Sequence, residues 1–129
     1  MSGDSAGPSR RRDFDWTREE TILAADVYVN RLGRRMGNKT DSEVIELSEL
    51  LRRAPWHPVE QRQPHFRSIS SVYRKLGNLL ANDPEVTSKG LSHSSRADRE
   101  IMEEFGSSPE ALAAAARAIR EEIESATSG

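Results

Sequence analysis

Phe66-Arg67-Ser68-Ile69-Ser70-Ser71-Val72-Tyr73-Arg74-Lys75-Leu76-Gly77-Asn78-Leu79-Leu80 decides how the chain is read, because as a helix it divides into two faces. At about 100° per residue, Ile69, Val72, Tyr73, Leu76, Leu79 and Leu80 gather on one side, and Arg67, Ser71, Arg74, Lys75 and Asn78 on the other. The first face is a core surface. The second holds no acid, and its Arg, Lys, Ser and Asn side chains are types that a nucleic-acid backbone and its base edges accept. A merely solvated face is the competing reading, although such faces usually mix signs.

Working outward, helical signals recur on both sides of this stretch. Thr17 with Glu20 three residues on is a capping box, and Ile22, Leu23, Val27 and Tyr28 carry an apolar stripe from there to about Leu32. Gly33 ends that helix and opens a basic loop, Gly33-Arg34-Arg35-Met36-Gly37-Asn38-Lys39. Thr40-Asp41-Ser42-Glu43 is read as a second capping box, before a helix in which Val44, Leu47, Leu50 and Leu51 repeat at helical spacing. Ala54-Pro55 stops it. Pro58 and Pro64 keep residues 56–65 irregular, with Trp56 and Val59 expected to tuck into the core.

The two-faced helix then begins near Ser68 and ends by Asn82-Asp83-Pro84. Gly77 inside it costs about 1 kcal/mol relative to Ala, which predicts a close neighbour, with another helix as the expected one. Residues 85–95 are irregular. A fourth helix covers Arg96 to Phe105, with Ala97, Ile101, Met102 and Phe105 inward and Gly106 as its C-cap. Ser108-Pro109-Glu110 starts a last helix whose stripe is Leu112, Ala115, Ala116, Ile119 and Ile123. No window alternates as a strand would. The expected fold is all-α: a compact bundle of about five helices with a long irregular loop between helices two and three. Residues 15–124 form the domain, between a disordered basic tail (1–14, with Arg10-Arg11-Arg12) and a disordered tail at 125–129.

Composition narrows the function classes. The 129 residues contain no cysteine, so disulfide frameworks, thiolate metal sites and cysteine nucleophiles drop out. The longest apolar run, Ala111 to Ala116, is far short of the ~20 residues that span a bilayer. No apolar segment follows the N-terminal arginines, so no secretory signal is read and a cytoplasmic setting is expected. Net charge is −2, but residues 31–99 hold 13 Lys and Arg against 8 Asp and Glu, whereas residues 100–129 hold 2 against 7. Screening confines charge effects to about 10 Å at ordinary salt, so a basic middle can meet phosphate in a slightly acidic molecule.

Catalytic supports are missing. His57, His65 and His93 have no second ligand at metal-site spacing, and there is no GxxxxGK[ST], GxGxxG or GxSxG segment. Asp and Glu are placed on the solvent faces of the helices. Neither metal, cofactor nor enzymatic activity is expected. Four basic clusters remain as candidate DNA contacts: Arg10-Arg11-Arg12; Arg34, Arg35 and Lys39; Arg67 with Arg74 and Lys75; and Lys89 through Arg96. In the last of these, Ser92, His93, Ser94, Ser95 and Arg96 stand at a helix start, where free backbone N–H groups favour an anion, or where Ser94 or Ser95 simply caps.

Trp16-Thr17-Arg18-Glu19-Glu20 leading to Ala25-Asp26-Val27-Tyr28, then residues 44–51 (Val-Ile-Glu-Leu-Ser-Glu-Leu-Leu), Phe66-Arg67, Val72, Lys75-Leu76, Asn78, Asp83-Pro84 and Gly90-Leu91-Ser92 form an ordered series. This series, from Asp15 to Ile123, resembles the N-terminal head domain of McrA-like HNH endonucleases, the ScoMcrA-like members in particular. The resemblance implies a modification-dependent (type IV) restriction nuclease of the prokaryotic cytoplasm, in which other domains recognise altered DNA and an HNH domain cuts it. Two departures stand out: Ser68-Ile69 replaces the Asn-Pro pair that often follows Phe-Arg, and no HNH motif is present. The chain is therefore expected to be a non-catalytic, DNA-binding module of such an enzyme. Its expected contacts are Arg67, Ser71, Arg74, Lys75 and Asn78, joined by Lys89, Ser92, His93 and Arg96. The expected partners are double-stranded DNA, plain or modified, and the other domains of the same endonuclease. Engagement of three to five phosphates corresponds to a log-log salt slope of roughly −3 to −5. The alternative is a protein-interaction domain, in which the Ala-rich last helix, with Ala113, Ala114 and Ala118 beyond its core stripe, docks on the nuclease body or forms a homodimer.

Overall fold

The computed structural model describes residues 15–83, 85–86 and 96–128, so the 1–14 tail and the expected contacts Lys89, Ser92 and His93 lie outside the described residues. Five α-helices and no strand are found among them: α1 (Arg18–Asp26), α2 (Ser42–Arg53), α3 (Ile69–Ala81), α4 (Arg96–Phe105) and α5 (Pro109–Ser128). The all-α class is the one expected. α5 runs on through Ser125, where the sequence reading places the start of a disordered tail. No described helix is long and apolar enough to cross a membrane.

α1 is the hub, touching all four other helices. Every residue from Glu20 to Val29 is buried, which explains a composition richer in Ala and β-branched residues than a surface helix would need. Its capping box forms as expected: the Glu20 N–H donates to Thr17 Oγ1 at 3.1 Å and the Thr17 N–H to Glu20 Oε1 at 3.0 Å. Beyond Asp26 the helix widens into a π-helical turn, Val27–Arg31, closed by the Leu32 N–H on the Val27 carbonyl at 2.8 Å. Gly33 and Arg34 then take left-handed φ values of 66° and 65°, and the Arg34 N–H closes on the Tyr28 carbonyl.

Arg34, expected as a possible DNA contact, is used here to lock the exit from α1. Its Nη1 donates to both oxygens of Asp83, at 2.8 and 2.7 Å, and its Nη2 donates to the Gly106 carbonyl. Tyr28 Oη donates to the same Asp83 carboxylate at 2.8 Å. Burial, then the Asp83 hydrogen bond, pushes the Tyr28 phenol well above its ordinary range, so it remains a donor. The ends of α1, α3 and α4 thus meet around the Arg34–Asp83 pair.

Other expectations need correction. α2 begins at Asp41 without a side-chain cap; Asp41 Oδ2 instead accepts from the Asn38 N–H at 2.9 Å, so the Thr40–Glu43 capping box does not form. Between α2 and α3 the only regular element is a 3-10 turn, Val59–Gln61. Trp56 packs against the core, but Val59 is 72% exposed. Arg62 does the pinning instead, donating to the carbonyls of Arg52, Ala54 and His57 while its guanidinium lies 4.5 Å from the Phe66 ring centroid. It satisfies carbonyls at the end of α2 that have no helical partner.

Two loop glycines allow a discriminating test. A Cβ at Gly37 (φ 68°) would meet Asp41 Oδ2 at 2.7 Å and Leu32 Cδ2 at 3.3 Å, whereas at Gly33 (φ 66°) it would meet nothing within 4 Å. Gly33→Ala is expected to cost about 1 kcal/mol from the left-handed backbone alone, and Gly37→Ala measurably more, by urea denaturation. Equal costs would contradict the packing of this loop.

Candidate nucleic-acid interface

The face that sequence assigned to DNA is divided by the fold into a buried part and an open part. Arg67 precedes the helix, because Ser68 is the N-cap of α3, its Oγ accepting the Ser71 N–H at 3.2 Å. The Arg67 side chain is fully buried. Its Nε donates to Glu20 Oε2 at 3.0 Å and its Nη2 to Glu20 Oε1 at 2.8 Å and to the Asp15 carbonyl at 3.1 Å. The guanidinium sits between two rings, 4.6 Å from the Trp16 centroid and 4.7 Å from that of Phe66. Its carbonyl accepts from Ser48 Oγ on α2 at 2.7 Å, and its φ of 47° is a left-handed value held by these contacts.

Glu20, placed on a solvent face by sequence, is buried among Thr17, Arg67 and His57, whose Nε2 lies 3.2 Å from Oε1. Burial acts to raise its carboxyl, but the hydrogen bonds and charge of Arg67, with the Thr17 N–H and His57, outweigh it and hold the group below its ordinary value.

Lys75 is likewise withdrawn. It stands three residues after Val72 and four before Leu79, both fully buried, so it falls at the edge of the core arc. Its ammonium pairs with the buried carboxylate of Asp98 on α4 and lies 5.0 Å from the Trp16 centroid. Burial pushes the ammonium below its ordinary value against the opposing charge of Asp98. Arg67 and Lys75 are therefore corrected from DNA contacts to parts of the interior.

Ser71, Arg74 and Asn78 remain. Arg74 points almost opposite to Val72, Leu76 and Leu79, is exposed, and has Ser71 and Asn78, both partly exposed, beside it. The basic loop lies along the neighbouring stripe. Lys39 Nζ donates to Ser70 Oγ at 3.3 Å and stands 5.8 Å from the Tyr73 ring centroid, while Tyr73 Oη donates to the Gly37 carbonyl at 3.3 Å. Ser70 and Arg74 are four apart on α3, so the Lys39 ammonium is one helical turn from Arg74. Lys39 belongs to a candidate basic cluster in the sequence but not to the expected contacts, because its link to α3 is between residues 31 positions apart and leaves no local signal. Arg96 is exposed at the start of α4, 3.7 Å from Glu100.

Among the described residues no group of three His, Asp or Glu side chains is arranged to hold a metal ion. Comparison with protein-family models, curated proteins and solved structures gave no significant match.

The buried pair makes a test of the interior assignment. Glu20→Gln leaves the Arg67 charge buried without its counter-ion and is expected to cost about 3–5 kcal/mol at pH 7 by urea denaturation. Because the Glu20 carboxyl is held below its unfolded value of about 4.3, its contribution is complete above that pH and is lost as pH falls through the folded value. The variant should therefore lose less stability than the parent between pH 5 and pH 3, both values chosen about the unfolded pKa. Parallel losses would show that Glu20 is not the coupled group.

Proposed function

We propose that the chain is a non-catalytic DNA-binding module of a modification-dependent (type IV) HNH restriction endonuclease, contacting duplex DNA along the open stripe of α3. The observation that carries this reading is Arg74: an exposed cation with no ion pair among the described residues, flanked by Ser71 and Asn78 on a helix that contains no acid. Lys39, one turn away, extends the positive surface, and Arg35 of the same loop is exposed. Arg and Lys suit phosphate oxygens, and the short Ser71 and Asn78 groups suit hydrogen bonds at close approach. The resemblance to McrA-like head domains supplies the enzyme class, the prokaryotic cytoplasm as setting, and the other domains of that enzyme as partners.

With Arg67 and Lys75 internal, the interface is smaller than the residue pattern suggests. Two or three phosphates correspond to a log-log salt slope of roughly −2 to −3, rather than −3 to −5. Fluorescence anisotropy on matched plain, methylated and phosphorothioate duplexes should give that slope, and Arg74→Ala with Lys39→Ala should each weaken binding by about tenfold near 0.1 M salt. A salt-independent signal, or a double variant that binds like the parent, would reject the DNA reading. Function would then pass to α5, where Ala114 and Ala118 are exposed and Ala113 is half-buried, as a protein-docking or dimerisation face, which light scattering across concentration would report.

A further inference from the structure

The backbone of Gly77 on α3 is closely approached by a side chain of the 33–39 loop. A Cβ there would meet Met36 Cε at 3.2 Å and Sδ at 3.3 Å, so the neighbour expected at this glycine is a loop side chain and not another helix. The loop then descends the helix in reverse order: Met36 meets residue 77, Gly37 meets Tyr73, and Lys39 meets Ser70. These three positions lie three and four apart on one stripe of α3. At the loop's far end the Asp41 carboxylate holds the Asn38 N–H at 2.9 Å, and left-handed Gly33 and Gly37 shape the backbone.

The Lys39 end of the strap is weakly held by itself. Its hydrogen bond to Ser70 is exposed, and exposed polar contacts of this kind contribute little. Arg34 holds the start of the loop on Asp83 and Gly106, and what seats residues 36–39 against α3 is Met36 on the bare Gly77 backbone together with the Tyr73–Gly37 bond. We propose that Met36 on Gly77 is the catch that seats residues 36–39 on α3 and so places Lys39 in the DNA interface; Met36 and Gly77 are positioning residues that do not themselves touch DNA. This inference rests on the DNA reading above.

Gly77→Leu fills the seat and displaces Met36, while Leu is a better helix former than Gly, so α3 itself is not weakened. Met36→Ala removes the catch without adding bulk and serves as the second variant, with circular dichroism and urea midpoints confirming that both fold. The readout is the salt slope of binding to a plain duplex, which counts phosphate contacts and is not moved by a reduced active fraction. Lys39→Ala should flatten the slope by about 0.9 and weaken binding about tenfold near 0.1 M salt; Gly77→Leu should do the same, Met36→Ala should move in the same direction, and Gly77→Leu with Lys39→Ala should be no weaker than Lys39→Ala alone. A parental slope in Gly77→Leu, or additive losses in the double variant, overturns the catch while Arg74→Ala still flattens the slope and the interface stands. Parental slopes in both Arg74→Ala and Lys39→Ala overturn the interface, and the catch with it.

Discussion

The Arg67–Glu20 pair is the constraint on which the rest of the structure depends. One carboxylate caps the first turn of α1, accepts two hydrogen bonds from the guanidinium, and faces His57; that guanidinium in turn fills the space between Trp16 and Phe66. Residues 47 positions apart are thereby held at a single distance and angle, since a bidentate pair tolerates little displacement. Such a pair adds little stability over an apolar core of the same volume, but losing one partner strands a charge without water. Its effect is to fix which surfaces of α1, α2 and the α2–α3 connection face each other.

The same logic extends to the other buried charges. Lys75 with Asp98 ties α3 to α4, and Arg34 with Asp83, Tyr28 and Gly106 ties the exit of α1 to the ends of α3 and α4. Part of the basic excess in the middle of the chain is therefore spent inside the fold. Arg34, Arg62, Arg67 and Lys75 are consumed by carboxylates or carbonyls inside the fold, and Arg31 shares Glu46 with Arg120. Among the described residues Arg74 and Lys39 stay exposed, as do Arg35, Arg52, Arg53, Arg99 and Arg117.

Much of the fold was legible in the residues. The capping box at Thr17, the start of α3 near Ser68, the stop at Gly33, and the apolar stripes of α2, α3 and α5 all follow from local spacing, because helical periodicity and end chemistry act within four residues. The capping box at Thr40 failed since Asp41 found a competing donor in Asn38. Val59 was expected inside only because it is apolar, and a single exposed Val needs no special reason. Lys75 and Asp98 could have been placed better: each stands three or four residues from buried apolar positions of its own helix, Lys75 between Val72 and Leu79, Asp98 before Ile101 and Met102. Of the candidate site, Ser71, Arg74 and Asn78 were legible as one face, and Lys39 only as a member of a basic loop.

The sequence by itself determined the helix count, most of the helix ends and the inward faces, because those depend on interactions between neighbours along the chain. Which cations became structure and which stayed available was decided by the tertiary fold alone. Arg67 and Arg74 are the same residue type seven positions apart, yet one is enclosed by Glu20, Trp16 and Phe66 and the other is open to solvent. A guanidinium in low dielectric must find its counter-charge wherever the folded chain brings one, and here that partner stands at the start of α1, far outside the reach of any local pattern.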